Sequence, residues 1–172
     1  MIPDKAFYID PGNVNGDTFV LDQEESLHAS RVLRLKPNDE ICLLDGTGTG
    51  FHAMIKSVMH DRVSGVIREK KQGLGENKIS IILAPAMIKR DRFETLLEKA
   101  TELGVNEIQP LVLDRCVKKT INIDRCQKIV TASAKQCRRS RFPVVKNPKD
   151  LETWINTMDG PYIAGSLNGE KA

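Results

Sequence analysis

The hydrophobic period of this chain changes once, near its middle, and that change dictates two cores. Up to residue 69, short apolar or alternating runs recur between turn residues, at 6–9, 18–21, 40–44, 51–58 and 62–67. Such spacing predicts a small all-β barrel. From residue 79 onward, strand-like runs alternate with helical ones, which predicts a parallel α/β sheet. Between them lies 70–78, polar, with two glycines and no apolar period. It reads as a linker, so the expected division is 1–72 and 73–172.

Several classes are excluded early. The longest apolar run, residues 81–88, falls far short of the ~20 residues of a spanning helix, and the first residues lack the layout of a signal peptide. A cytoplasmic protein with no membrane partner is expected. Four cysteines without a Cys-x-x-Cys pair read as buried free thiols, and three histidines, all before the linker, suggest no metal site. No Gly-x-Ser-x-Gly, Walker loop, His-Glu-x-x-His or helix-opening Gly-x-Gly-x-x-Gly is present. The alternating glycines of 45–50 are followed by a strand pattern, which favours a glycine-rich hairpin over a phosphate loop.

Charge is segregated. Residues 1–72 carry nine Lys/Arg against eleven Asp/Glu, whereas eleven bases between Arg115 and Lys149 are interrupted only by Asp124. A segment of that kind favours a polyanion, the alternative being a solvated face balanced by acids elsewhere. Within the acidic half, a helix over 23–34 ends in a local basic spot of Arg31, Arg34 and Lys36.

In the second half, 79–87 looks like a strand buried on both faces. Asp91 is placed to cap a helix with Glu94 three residues on, and Phe93, Leu96, Leu97, Ala100 and Leu103 follow at helical spacing until Gly104. A strand over 105–113 follows, then a helix capped by Asn122 with Cys126, Ile129, Val130, Ser133 and Cys137 on its apolar face and Pro143 beyond it. A short helix over 151–156 and a strand over 162–166 complete the pattern. Arg92, Lys99 and Glu102 flank the first helix, and Arg125, Lys128, Gln136 and Arg139 the second. They either line a cleft or snorkel over the core as surface charges.

Four strings occur in order: His28-x-x-x-Val32-Leu33-Arg34-x-Lys36; Lys89-x-x-Arg92-x-Glu94 running into Lys99-Ala100-Thr101-Glu102-Leu103-Gly104-Val105; Arg115-Cys116; and Gln136-Cys137-x-Arg139-x-Arg141-x-Pro143. Together they resemble the ribosomal RNA small subunit methyltransferase E family of the SPOUT superfamily. The resemblance runs from the first strand to about Ala172. It implies an α/β chain with an N-terminal PUA-like RNA-binding β-barrel followed by an incomplete SPOUT methyltransferase domain. Such enzymes act as homodimers and transfer a methyl group from S-adenosylmethionine to N3 of a uridine in 16S rRNA of the small ribosomal subunit.

Among the matched residues, Arg139, Gln136, Glu102 and Lys99 are the candidates for a catalytic pocket, the alternative for Lys99 and Glu102 being a plain helix-surface pair. RNA contacts would come from Arg31, Arg34, Lys36, Lys89, Arg92, Arg125, Arg138 and Arg141, and a cofactor edge from Ser166, Leu167 and Asn168. Uridine N3–H must lose a proton as the methyl arrives, so cationic or hydrogen-bonding groups should favour the uridinate. Glu94 and Glu102 are proton acceptors only by elimination. Arg139→Ala is expected to reduce methyl transfer while leaving folding intact. Family members carry a Gly-Pro-Glu-Gly-type loop and a Leu-Arg-x-Glu-Thr-type segment that form the knot and most of the cofactor pocket. Neither is found here, so this chain alone is expected neither to bind the cofactor tightly nor to dimerise in the family manner. The alternatives are a non-catalytic RNA-binding module acting on rRNA or tRNA, and an adaptor whose basic face meets acidic proteins.

Overall fold

A computed structural model describes residues 2–116, 119–158 and 160–165. In the first half, β1 (Ala6–Tyr8), β2 (Val14–Asn15), β3 (Thr18–Val20), β4 (Glu40–Leu44), β5 (Thr49–Met59) and β6 (Arg62–Gln72) form one sheet in the order β1-β4-β5-β6-β3-β2. Only the β1/β4 pair is parallel; the other pairs are antiparallel. Period-two alternation puts Ile41, Leu43, Ala53, Ile55 and Val63 on the inner face, where they bury Phe7, Phe19 and Leu21. Register shifts in the β5/β6 ladder at His52/Ala53 and Ile55/Ser57 accompany the curl of this sheet.

The expected helix over 23–34 is shorter and changes pitch. Asp22 caps α1 (Gln23–Leu27) by accepting from the Glu25 N–H, and a π-helical turn then spans His28–Val32. Leu33 N–H donates to the His28 carbonyl and Leu35 N–H to that of Ala29, which turns Leu35 into the core. Arg34 follows with φ of 51°, leaving Arg31, Arg34 and Lys36 exposed around the turn.

The 45–50 segment is a hairpin that cradles a carboxylate of its own. Asp45 Oδ1 accepts from the backbone N–H groups of Thr47, Gly48 and Thr49 at 2.8, 3.0 and 2.8 Å. Burial pushes the Asp45 pKa up, but the bonds from Thr49 and Thr47 outweigh it and hold the carboxyl below its ordinary value. Donors that could have held a phosphate are therefore occupied.

The 70–78 stretch is not a free linker. β6 runs through Gln72, and Leu74 packs with Cys42 and Leu44 at 6 % exposure. Gly75 has φ of 73°, and a Cβ there would stand 2.6 Å from the Arg138 carbonyl oxygen, so only glycine lets the two segments approach.

In the second half, β7 (Ile82–Leu83), β8 (Glu107–Ile108) and β10 (Val144–Val145) pair in parallel with β8 in the middle. β9 (Leu111–Val112) and β11 (Lys149–Asp150) form a second parallel pair, and an Ala86/Leu111 bridge links the β7 path to β9. The expected continuous strands are thus interrupted at Pro85 and Pro110, which have no N–H to give a ladder. The doubly buried strand over 79–87 is also corrected: Ile79 and Ile82 are 69 % and 58 % exposed.

α2 (Arg90–Glu102) and α3 (Ile123–Cys137) cover this sheet, burying Phe93, Leu97, Ala100, Cys126 and Val130 with Val105, Ile108 and Val145. Lys89, not Asp91, occupies the α2 cap position and makes no side-chain cap bond. Leu103, read as part of the buried stripe, is 75 % exposed, because it follows the last helical turn before Gly104 at φ of 92°. Asn122 caps α3 by accepting from the Arg125 N–H at 2.8 Å. After α4 (Leu151–Ile155), residues 161–165 carry no strand where 162–166 was expected to, and Ser166, Leu167 and Asn168 lie outside the described residues. Cys42 and Cys126 are buried and Cys116 and Cys137 half-buried, none of them in a disulfide; burial pushes Cys42 up to about 11 and raises Cys137.

Candidate functional site

α2 and α3 lie side by side and run the same way. Arg125 meets Glu94, Ser133 Oγ meets the Glu98 carbonyl, and Arg139 meets the Thr101 carbonyl, numbers rising together on both helices. The pair therefore has an N-terminal end and a C-terminal end, separated by ~20 Å at a 1.5 Å rise per residue. Polar clusters occupy both ends.

At the N-terminal end, beyond the carboxyl ends of the parallel strands, a cleft of about 180 Å³ is lined by Met87, Ile88, Phe93 and Ile121 and by Arg90, Glu94, Asn122 and Arg125. Ligands of open α/β sheets bind on this edge. Glu94 takes Arg125 on both oxygens, at 2.7 and 2.9 Å, and Arg90 at 2.9 Å. These guanidinium groups, Arg125 first and Arg90 second, hold its carboxyl down at about 2. Glu94 is thus a permanent anion in neutral solution and a poor proton acceptor. The cluster keeps one net positive charge beside an apolar wall. Lys89 and Arg92 stand exposed on the first turn of α2 nearby.

The residues expected to form one pocket stand at the C-terminal end of the helix pair. Lys99 and Glu102 pair with each other on the surface at 2.8 Å, and Glu102 raises the Lys99 pKa. Gln136 is exposed on the last turn of α3. Arg139 is 2 % exposed. Its Nη1 donates to the Thr101 and Val105 carbonyls at 2.9 and 2.8 Å, and its Nη2 and Nε donate to Glu76 at 2.7 and 3.4 Å. All four of these hydrogen bonds lie inside the fold. Arg139→Ala would leave Glu76, itself 10 % exposed at the side chain, without its guanidinium partner, so a loss of stability is expected.

The same end meets the barrel. Lys135 pairs with buried Glu25 at 2.5 Å and Arg138 with Asp4 at 3.0 Å. Phe142 N–H donates to the Gly46 carbonyl and Gly48 N–H to that of Ser140. The string Gln136-x-x-Arg139-x-Arg141 is therefore the joint between the two halves. Elsewhere on the barrel, Arg31 contacts His60 and Ser30 Oγ donates to the His60 carbonyl, with Val32 and Met59 exposed at 68 % and 63 %. Sequence reasoning missed Arg90, Asn122's place in the cleft, Glu76 and His60. Only the strand order makes the carboxyl edge visible, and Glu76 sits 63 residues before its partner.

A family described as the RNA methyltransferase PUA domain matches residues 21–68, and one described as the RNA methyltransferase domain matches 75–168. A ribosomal RNA small subunit methyltransferase E from Rickettsia conorii is 30 % identical over 74 % of this chain and 52 % of its own length. Its counterpart from Synechocystis sp. is 29 % identical over 91 % of this chain and again 52 % of itself. This chain thus spans about half the length of the curated relatives it matches. The solved structure of ribosomal RNA small subunit methyltransferase E from Neisseria gonorrhoeae, bound to S-adenosyl methionine, superposes with a TM-score of 0.81 at 28 % identity, covering 92 % of this chain and 66 % of that one. A methyltransferase of Legionella pneumophila in complex with the same cofactor gives 0.77 at 26 % identity, covering 91 % of this chain and 67 % of that one. This chain belongs to the RNA methyltransferase family of which the ribosomal RNA small subunit methyltransferases E are members.

Proposed function

We propose that this chain is the RNA-holding and helical part of an enzyme that methylates N3 of a uridine in 16S rRNA with S-adenosylmethionine as methyl donor, working as a homodimer. The observation that carries this reading is the cationic Arg90–Glu94–Arg125 cleft at the carboxyl edge of the sheet, in a chain whose barrel displays Arg31, Arg34 and Lys36 on and just after its π-helical turn.

The cleft among the described residues is small for the cofactor. The cleft at about 180 Å³, and a second cavity of about 290 Å³ on the barrel beside His52 and Glu69, lie below the ~300–1,000 Å³ of ordinary ligand pockets. Bound, the cofactor supplies an electrophilic methyl group. The residues of this chain bind and orient the RNA. Arg90 and Arg125 supply the positive potential that favours a uridinate over neutral uridine, and Phe93 and Ile121 offer an apolar wall to the base. Glu94 fixes the two guanidinium groups and does not take the proton.

The test is methyl transfer to small ribosomal subunits by the protein from the complete reading frame, followed by reverse transcription, which stops at an N3-methylated uridine because that atom lies on the pairing edge. A stop at one 16S uridine, weakened at least tenfold by Arg125→Ala, is the expected outcome. Labelled methyl groups at another atom would remove the N3 assignment. RNA binding without any methyl transfer would favour the non-catalytic RNA-binding module, a reading supported here by the small volume of the cleft.

A further inference from the structure

The two arginines of the joint do different work, although the sequence presents them two residues apart. Arg139 is buried, and Arg141 is exposed with no ion pair among the described residues. A single carboxylate links them. Glu76 Oε2 accepts from Arg139 Nη2 at 2.7 Å, while its Oε1 accepts from the Arg139 Nε at 3.4 Å and from the backbone N–H of Arg141 at 2.9 Å. On the other side, residues 140 and 142 are bonded to Gly48 and Gly46 of the hairpin, 3.0 Å in each case. Arg141 is thus clamped through its backbone from both flanks. Its guanidinium lies over Gly48, where an added Cβ would stand 3.0 Å from Nη2.

The neighbouring cations are already matched. Arg138 meets Asp4 and Lys135 meets Glu25, so Arg141 is the unmatched positive charge of this stretch of the joint among the described residues. A guanidinium with a fixed backbone, open to solvent and without an acid, suits a phosphate oxygen pair.

We infer that Glu76 and Arg139 are positioning residues that hold Arg141 at the joint as a backbone-phosphate contact for RNA running from the barrel onto the helical half. This rests on the RNA-binding reading given above. The clamp lowers the loss of freedom on binding, because the backbone at 141 is ordered before the RNA arrives.

The experiment is fluorescence anisotropy of a labelled, uridine-containing single-stranded RNA oligonucleotide with the full chain across a range of salt concentrations. Arg141→Ala is expected to weaken binding and to make the slope of log K against log salt shallower by about 0.7, as for one lost phosphate contact on a single strand. Glu76→Gln should reproduce part of that change in the wild-type background and add nothing once Arg141 is alanine. A purely structural role would instead lower affinity by the same factor in both backgrounds, and that result overturns the inference. Should Glu76→Gln fail to fold, Glu76→Met with Arg139→Met removes both charges at similar volume, a replacement that buried pairs often tolerate. Wild-type affinity and slope in that folded pair variant would equally overturn it. Absence of RNA binding by the wild-type chain would sink the RNA-binding reading and the clamp with it, whereas binding with additive variants would sink the clamp alone.

Discussion

Single residues in this protein take their roles from partners that are distant in sequence. Arg139 is a basic residue in a basic string, and nothing local distinguishes it from Arg138 or Arg141. Burial against the Thr101 and Val105 carbonyls and Glu76 does so. Asp45 is the opposite, local case, an acid whose charge is spent on three backbone N–H groups of its own hairpin. Its folded pKa is depressed, so its contribution is present above the ordinary 3.8 and is lost as pH falls through the lower folded value. Asp45→Asn should therefore cost about 1–3 kcal/mol at neutral pH, as charge-assisted bonds become neutral ones. Urea melts of the two proteins should converge as the solution is acidified through that range. A constant gap at every pH would show that the charge contributes nothing.

At the scale of elements, local rules performed well where local chemistry decides. Asn122 caps α3, Gly104 ends α2, and the hairpin lies where the glycines put it. They failed where a neighbour decides. Asp91 and Glu94 have capping-box spacing, yet Glu94 turns to Arg90 and Arg125, a helix away, and the cap position falls to Lys89. The end of α3 carries a cost of its own. Arg138 occupies the left-handed region, φ 58° and ψ 42°, which costs a non-glycine residue roughly 1–2 kcal/mol. Its ion pair with Asp4 is largely exposed and returns little of that. Arg138→Gly should therefore raise stability by about 1 kcal/mol, visible as a higher Tm. A lower Tm would mean that the guanidinium at 138 contributes more to the joint than its exposure suggests.

For the whole molecule, the two halves share a joint rather than a tether. Leu74 belongs to the barrel's outer face, Lys135 reaches buried Glu25, and residues 138–142 run between the hairpin and the 74–76 turn. Calorimetry should accordingly show one cooperative transition, with calorimetric and van't Hoff enthalpies equal. Lys135→Ala should lower that single transition by about 3 kcal/mol, somewhat less for the part of Lys135 open to water. Two resolved transitions, or a shift of one half only, would show that the halves unfold independently.

The sequence by itself determined the division into a β half and an α/β half, most helix and strand positions, and the surplus of cations after Arg115. These follow from hydrophobic period, turn residues and capping groups, all read within a few residues. It also carried the family, through strings that survive as strings. Only the tertiary structure decided which of two polar clusters lies at the carboxyl edge of the strands and which is the joint. α2 and α3 carry charges at both ends, and the strand order alone tells one end from the other. Burial of a charge depends on an acceptor that can come from anywhere in the chain, so the separation of Arg139 from Arg141 became visible only when Glu76 was in place.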